Sequence, residues 1–173
     1  MKNTGGSIKH PKRRGEWAEI CFLKRAAELG LEVSKPWGDT ASYDFIVEKA
    51  QHTSRVQVKS TIHRRKTAYV CKIRNYGNRC YAGNPFDFVA AYLILEDMWY
   101  IIPARYIVGK TSLEFFPRRR QSKYDSFREA WHFLLPPESS RKSSISIQAC
   151  VGPEIGFPLP IRHSQGQRLL GEI

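Results

Sequence analysis

Asp44, Gln57 and Lys59 are residue types that do chemistry on phosphate esters when they are brought together. Asp44 offers a carboxylate and Gln57 an amide oxygen. The backbone carbonyl of Val58 lies between the second and third members. Lys59 adds an ammonium. Phosphodiester hydrolysis needs a hard cation to offset charge on the phosphate and to lower the pKa of an attacking water. Mg²⁺ takes oxygen ligands and keeps waters of its own, so one or two carboxylates suffice. In this reading Asp44, Gln57 and the Val58 carbonyl hold the cation, while Lys59 orients or deprotonates the water. The same spacing also suits an Asp that merely starts a strand, or one that pairs with Lys59 structurally.

The surrounding sequence must position these groups. The segment RVQVKST, residues 55–61, alternates strictly: Val56 and Val58 face one way, Arg55, Gln57 and Lys59 the other. YDFIVE, residues 43–48, predicts the preceding strand, and pairing of the two as a hairpin sets Asp44 beside Gln57 and Lys59. Upstream, residues 15–29 predict a helix that Gly30 stops. Glu16, Ile20, Leu23 and Ala27 are spaced to share one face. That stripe reads as inward-facing, which would carry Glu16 to the same place as a further ligand.

Further strands are expected at 31–35, 68–74, 86–95 and 99–102. Ser126-x-x-Glu129 has the pattern of a capping box and predicts a second helix, stopped by Pro136-Pro137. This interleaving predicts an α/β (α+β) fold with a mixed central β-sheet flanked by helices. Three segments are expected: a basic arm at 1–14, a folded domain at 15–135, and a Pro/Ser/Gly-rich tail at 136–173 with little regular structure.

The chain has 173 residues, with 28 Lys+Arg against 16 Asp+Glu, a formal charge of +12. Most of the Lys and Arg precede the tail. Such a balance favours polyanions. The apolar run at 88–95 is far short of a membrane span, and the basic N-terminus has no apolar stretch of a secretory signal behind it. An intracellular, cytoplasmic setting at the nucleoid is therefore expected. Cys21 and Cys71 sit among apolar neighbours and read as buried reduced thiols; a zinc site on Cys71, Cys80 and His63 matches no usual spacing. Asp87 reads as a partner for an Arg or a cap for its loop.

The runs GEWAEICFLKRAAELG, VSKPWGDTASYDFIV and RVQVKST together resemble the PD-(D/E)XK nucleases, over about residues 15 to 107. Homing endonucleases of group I introns and archaeal Holliday junction resolvases share this layout. The resemblance implies a restriction-endonuclease-like core, Mg²⁺ or Mn²⁺, and cleavage of DNA to leave a 5′-phosphate. It puts an acid at Glu16, the metal-binding Asp at Asp44, the second acidic position at Gln57 and the catalytic Lys at Lys59. Two departures stand out. Tyr43 replaces the Pro of the motif, which carries no chemistry. Gln57 replaces an acid, as in the homing-endonuclease-like subset, and takes one negative charge from the cation site.

The expected activity is a metal-dependent DNA endonuclease of homing or restriction type. The alternatives are a junction resolvase and a DNA-binding module with a degenerate site. Double-stranded or branched DNA is the expected partner. Arg64, Arg65 and Lys66, with Lys72, Arg74 and Arg79, are expected to contact phosphates, and Arg118-Arg119-Arg120 forms another basic cluster. A homodimer or higher homo-oligomer is expected, because one site cuts one strand.

Overall fold

The computed structural model describes residues 7–38, 40–73 and 85–136. Helix α1 spans Pro11–Glu28, with Pro in its first turn and Arg25 in its last. Both suit a helix: the Pro N–H would be unpaired there anyway, and the cation faces the negative end of the dipole. The helix starts four residues before Gly15, so residues 11–14 of the basic N-terminal segment are helical. Gly30, at φ +67°, lets the chain leave the helix. Lys49 Nζ donates to its carbonyl at 2.7 Å.

Five strands form one sheet in the order β1-β2-β3-β6-β7. These are β1 (Glu32–Ser34), β2 (Phe45–Lys49), β3 (His52–Thr61), β6 (Phe88–Leu93) and β7 (Met98–Pro103). β3 pairs antiparallel with β2 and parallel with β6, so the sheet is mixed as expected. A second sheet of three strands, β4-β5-β8, uses Arg64–Arg65, Ala68–Lys72 and Ser112–Phe115. The β8 strand is not apparent in the sequence, because only Leu113 and Phe115 mark its alternation.

The larger sheet is covered on both faces. One face packs Phe45, Val47, Val56, Val58, Ala90, Tyr92, Trp99 and Ile101 against α1 and Trp131. The other packs Val89, Ala91, Leu93, Tyr100 and Ile102 against Tyr69, Cys71, Leu113 and Phe115 of the small sheet. Double coverage explains why β6 reads as a continuous apolar run rather than an alternation.

Two sequence expectations fail here. The inward face of α1 is Ala18, Phe22 and Ala26, not Glu16, Ile20, Leu23 and Ala27. Ile20 is 62% exposed, and Glu16 is exposed as well. The two stripes are centred about 130° apart round the helix. Aromatic packing decides between them: the Phe22 ring meets Phe45, Trp99 and Trp131 at 5.4–5.8 Å between centroids. No aliphatic on the opposite face buries as much area.

The second helix also does not form. In its place are two short 3-10 turns, Asp125–Phe127 and Trp131–Leu134, separated by Glu129 at φ 48°. The Glu129 carboxylate does not cap a helix. It accepts from Trp99 N at 2.7 Å and from Trp131 Nε1 at 2.8 Å. Those two donors anchor the segment across β7 instead.

Asp87 does pair with an Arg. Its Oδ2 accepts from the backbone N of Arg55 at 2.8 Å, and its Oδ1 from the guanidinium at 3.2 Å. Burial pushes the carboxyl up, but the bonds to Arg55 outweigh it and hold it below the ordinary range.

Two measurements check this packing. Phe22→Ala is expected to cost about 3–5 kcal/mol in urea denaturation, and Ile20→Ala less than about 0.5 kcal/mol. Equal losses would mean that the helix is turned the other way. Burial pushes the Cys71 thiol up to about 12, so alkylation at pH 8 should leave the Cys71 peptide unlabelled in the native protein and label it after unfolding.

Candidate active site

Asp44 sits one residue before β2, opposite Gln57 in the extended hairpin register. Its backbone N–H still donates to Val56 O at 2.9 Å. Beyond that rung the ladder changes hands. The Asp44 side chain turns into the plane of the sheet, and its Oδ2 accepts from Val58 N at 2.7 Å. The same oxygen accepts from Gln57 Nε2. The Gln57 amide also donates to the Val58 carbonyl at 3.4 Å. A strand residue points its N–H and C=O to the same side. The Val58 carbonyl therefore faces the open edge where β2 has ended.

Asp44, Gln57 and the Val58 carbonyl thus gather at one point, as the hairpin pairing anticipated. Gln57 is buried, and Lys59 is half-buried two residues further along the same face of β3. Burial pushes the Asp44 carboxyl above the ordinary carboxylate range, and the nearby Glu19 charge adds to the rise. The Val58 N–H bond and the charges of Lys59 and Lys35 pull against it without cancelling it. Lys59 also lies within range of Cys71, under the small sheet.

A cavity of about 360 Å³ opens at this edge, lined by residues that include Glu16, Glu19, Lys35, Tyr43 and Asp44. Glu16 shares that cavity, but from the exposed side of α1. Glu19 is the acid that sequence reading missed. It is half-buried, its charge reaches Asp44, and its Oε2 accepts from Lys35 Nζ at 2.8 Å. That bond raises the Lys35 ammonium above its usual range, supported by the fields of Asp44 and Glu16. The signal was present in the sequence: Glu16 and Glu19 are three apart and share a helix edge. Only the rotation of α1 favours the second.

Among the described residues, no three His, Cys, Asp or Glu side chains gather as a metal cluster. The donor set at Asp44 is of a different kind. It comprises a carboxylate, a buried amide that turns its oxygen inward by rotation of one torsion, and a strand carbonyl. All are hard oxygens, and Asp44 among them lines the cavity. That suits a cation such as Mg²⁺ or Mn²⁺ that keeps several of its own waters.

The basic residues are spread more widely. Arg64 and Arg65 form β4, an edge strand of the small sheet, and are exposed. Arg64 Nε donates to the carbonyl of Lys66, which lies at φ 56°. Lys72 is exposed at the end of β5. Arg74 and Arg79 lie outside the described residues, as does Cys80. Arg118 approaches Glu96 at 3.8 Å, and Arg119 and Arg120 are exposed. Among the described residues no helix is long and apolar enough to cross a membrane.

The family model described as PD-(D/E)XK endonuclease matches residues 9–134. A solved structure of a bacterial homing endonuclease, I-Ssp6803I, is similar to this chain, with a TM-score of 0.64 and 30% identity. The alignment covers 78% of this chain and 98% of that one. Comparison with curated proteins finds no match. The mixed sheet with its flanking helix accordingly has the restriction-endonuclease-like fold.

The charges around Asp44 set the sign of a titration test. Glu19→Gln removes a negative neighbour and should lower the Asp44 titration, followed by NMR of the side-chain carboxyl in cation-free protein. Lys35→Ala should raise it. A cation held here would need the ionised carboxylate, so any affinity for Mn²⁺ should fall as pH drops through the raised Asp44 value. Shifts of opposite sign would remove Glu19 and Lys35 from the site.

Proposed function

Because the chain belongs to the PD-(D/E)XK endonuclease family, we propose that it is a divalent-metal-dependent DNA endonuclease of the homing type, with its active site at Asp44, Gln57, Val58 and Lys59. One observation carries this reading: the Asp44 carboxylate is held against Val58 and Gln57, with Lys59 two residues along the same strand face. Nuclease activity follows from the family. The homing type rests on the similarity to a bacterial homing endonuclease over nearly the whole of that chain.

In this reading Asp44, the Gln57 amide oxygen and the Val58 carbonyl hold Mg²⁺ or Mn²⁺, with Glu19 and Glu16 at the outer edge. The bound cation would supply charge stabilisation at the phosphate and a more acidic water. Lys59 donates to the scissile phosphate and aligns the attacking water beside it. Water oxygen bonds to phosphorus, the bond from phosphorus to the 3′ oxygen breaks, and a 5′-phosphate and a 3′-hydroxyl remain. The strand-held Val58 carbonyl is fixed before substrate arrives, while the buried Gln57 amide turns its oxygen to the cation. Arg64, Arg65, Lys66 and Lys72 contact phosphates further along the DNA, joined by Arg74 and Arg79. The basic segment 1–14 and the tail 136–173 flank this nuclease domain. Two copies act together, one on each strand, on DNA of the nucleoid.

Cleavage of a randomised duplex library with Mg²⁺ or Mn²⁺ tests the proposal. Lys59→Ala and Asp44→Ala should each lower the cleavage rate by at least about a thousandfold while leaving DNA binding in place. Chelation should abolish cleavage. Gln57→Glu restores a charge to the cation site and should tighten metal binding. Tight binding with no cleavage of any duplex or junction, unaltered by Asp44→Ala, would show a binding module instead. Preference for four-way junctions over duplex would show a resolvase. A monomer in sedimentation at working concentration, alone and on DNA, would remove the dimer.

A further inference from the structure

The chain's four Trp residues fall in two groups. Trp99 and Trp131 are buried, and Trp17 is half-buried in a stack on Tyr92. Trp37 is 100% exposed. An indole left wholly in water contributes nothing to the stability of its own chain, so its value must lie in what it meets.

The turn that carries it holds it outward. Pro36 precedes it, with φ fixed by its ring, and Gly38 follows at φ +73°, a conformation that other residues rarely adopt. Both flanking residues line the cavity that contains Asp44. Two cations, Lys35 and Lys12, line the same cavity. A phosphodiester brought to Asp44 must carry its own nucleoside past this mouth. Lys35 is already bound to Glu19, and Glu16 and Asp44 share the cavity, so the mouth offers the Lys12 ammonium for a backbone and a flat aromatic face for a base. That combination is the one that holds single bases without reading their edges.

We propose that Trp37 stacks on a nucleobase beside the scissile phosphate, one unstacked from its neighbour, and so positions the strand in the active site. The inference rests on the nuclease reading of the Asp44 site. A second copy of this chain fits the surface less well, since each copy carries a formal +12 and would present the same lysines. DNA brings the opposite charge and a π face together.

The experiment compares wild type with Trp37→Ala and Trp37→Phe, with Ca²⁺ in place of Mg²⁺. The probes are a short labelled DNA duplex and the same duplex with one unpaired base. Since Trp37 packs on nothing, both variants should unfold at the wild-type temperature. Wild type should bind the unpaired-base duplex more tightly than the paired one, and DNA should quench the solvent-accessible part of its Trp emission. Trp37→Ala should lose about ten- to a hundredfold in affinity for the unpaired-base duplex, along with that preference. Trp37→Phe should recover part of it. Equal affinity and preference in wild type and Trp37→Ala would overturn the inference while leaving the nuclease intact. Emission that shifts with protein concentration but not with DNA would mark a contact between copies, and would overturn it too. If wild type binds neither probe with Ca²⁺ and cuts neither with Mg²⁺ or Mn²⁺, the nuclease reading falls and this inference falls with it. That case is distinguishable, because the substitutions then have no effect to show.

Discussion

The Asp44 carboxylate does the work of a backbone group. Where β2 runs out of strand, its Oδ2 takes the Val58 N–H that the next rung would have satisfied, and the Gln57 amide besides. A buried N–H left unpaired costs roughly 1–3 kcal/mol, so the hairpin end has a structural claim on this residue. The same bonds point a carboxylate, an amide and a carbonyl at one spot. Structure and chemistry thus compete for one side chain. A cation there must share Asp44 with Val58, which a carboxylate's several lone pairs permit.

The rest of the fold serves this junction. The parallel pairing of β3 with β6 buries β3 at the centre of the sheet, and that burial pushes the Asp44 carboxyl upward. The aromatic contacts of Phe22 turn α1 so that Glu19 overlooks the strand end, already bound to Lys35. Net charge at the site is then set by neighbours more than by the Gln57 position. A neutral amide is tolerable where two helix acids stand at the rim. The basic residues lie apart from this knot, on the edge of the small sheet and its connections, where long cations reach solvent.

Much of this is written in local pattern. Strict alternation in residues 55–61 fixes a strand and the face shared by Gln57 and Lys59. The apolar strand at residues 43–48 fixes its partner, and a short turn between them leaves a hairpin as the natural pairing. Those features need only period two and chain connectivity, which are properties of neighbours in sequence. Asp44 beside Gln57 follows from them, while the class of chemistry rests on the ordered resemblance to the family. Composition alone gives the excess of positive charge, +12 over the chain.

What neighbours in sequence do not fix is which of two apolar stripes a helix buries. The stripe through Ile20 and Leu23 and the one through Ala18, Phe22 and Ala26 are both periodic. The choice depends on Trp99 and Trp131, more than 70 residues away, whose rings receive Phe22. The same distant contacts claim Glu129 as an anchor for Trp99 and dissolve the helix that its capping pattern suggests. So the sequence by itself determined the hairpin, the face shared by Gln57 and Lys59, and the chain's excess of positive charge. Tertiary packing decided that the Glu19 charge acts on Asp44 while Glu16 stays on the exposed side of α1, because the rotation of a helix is settled by volume and aromatic contact, and not by its own periodicity.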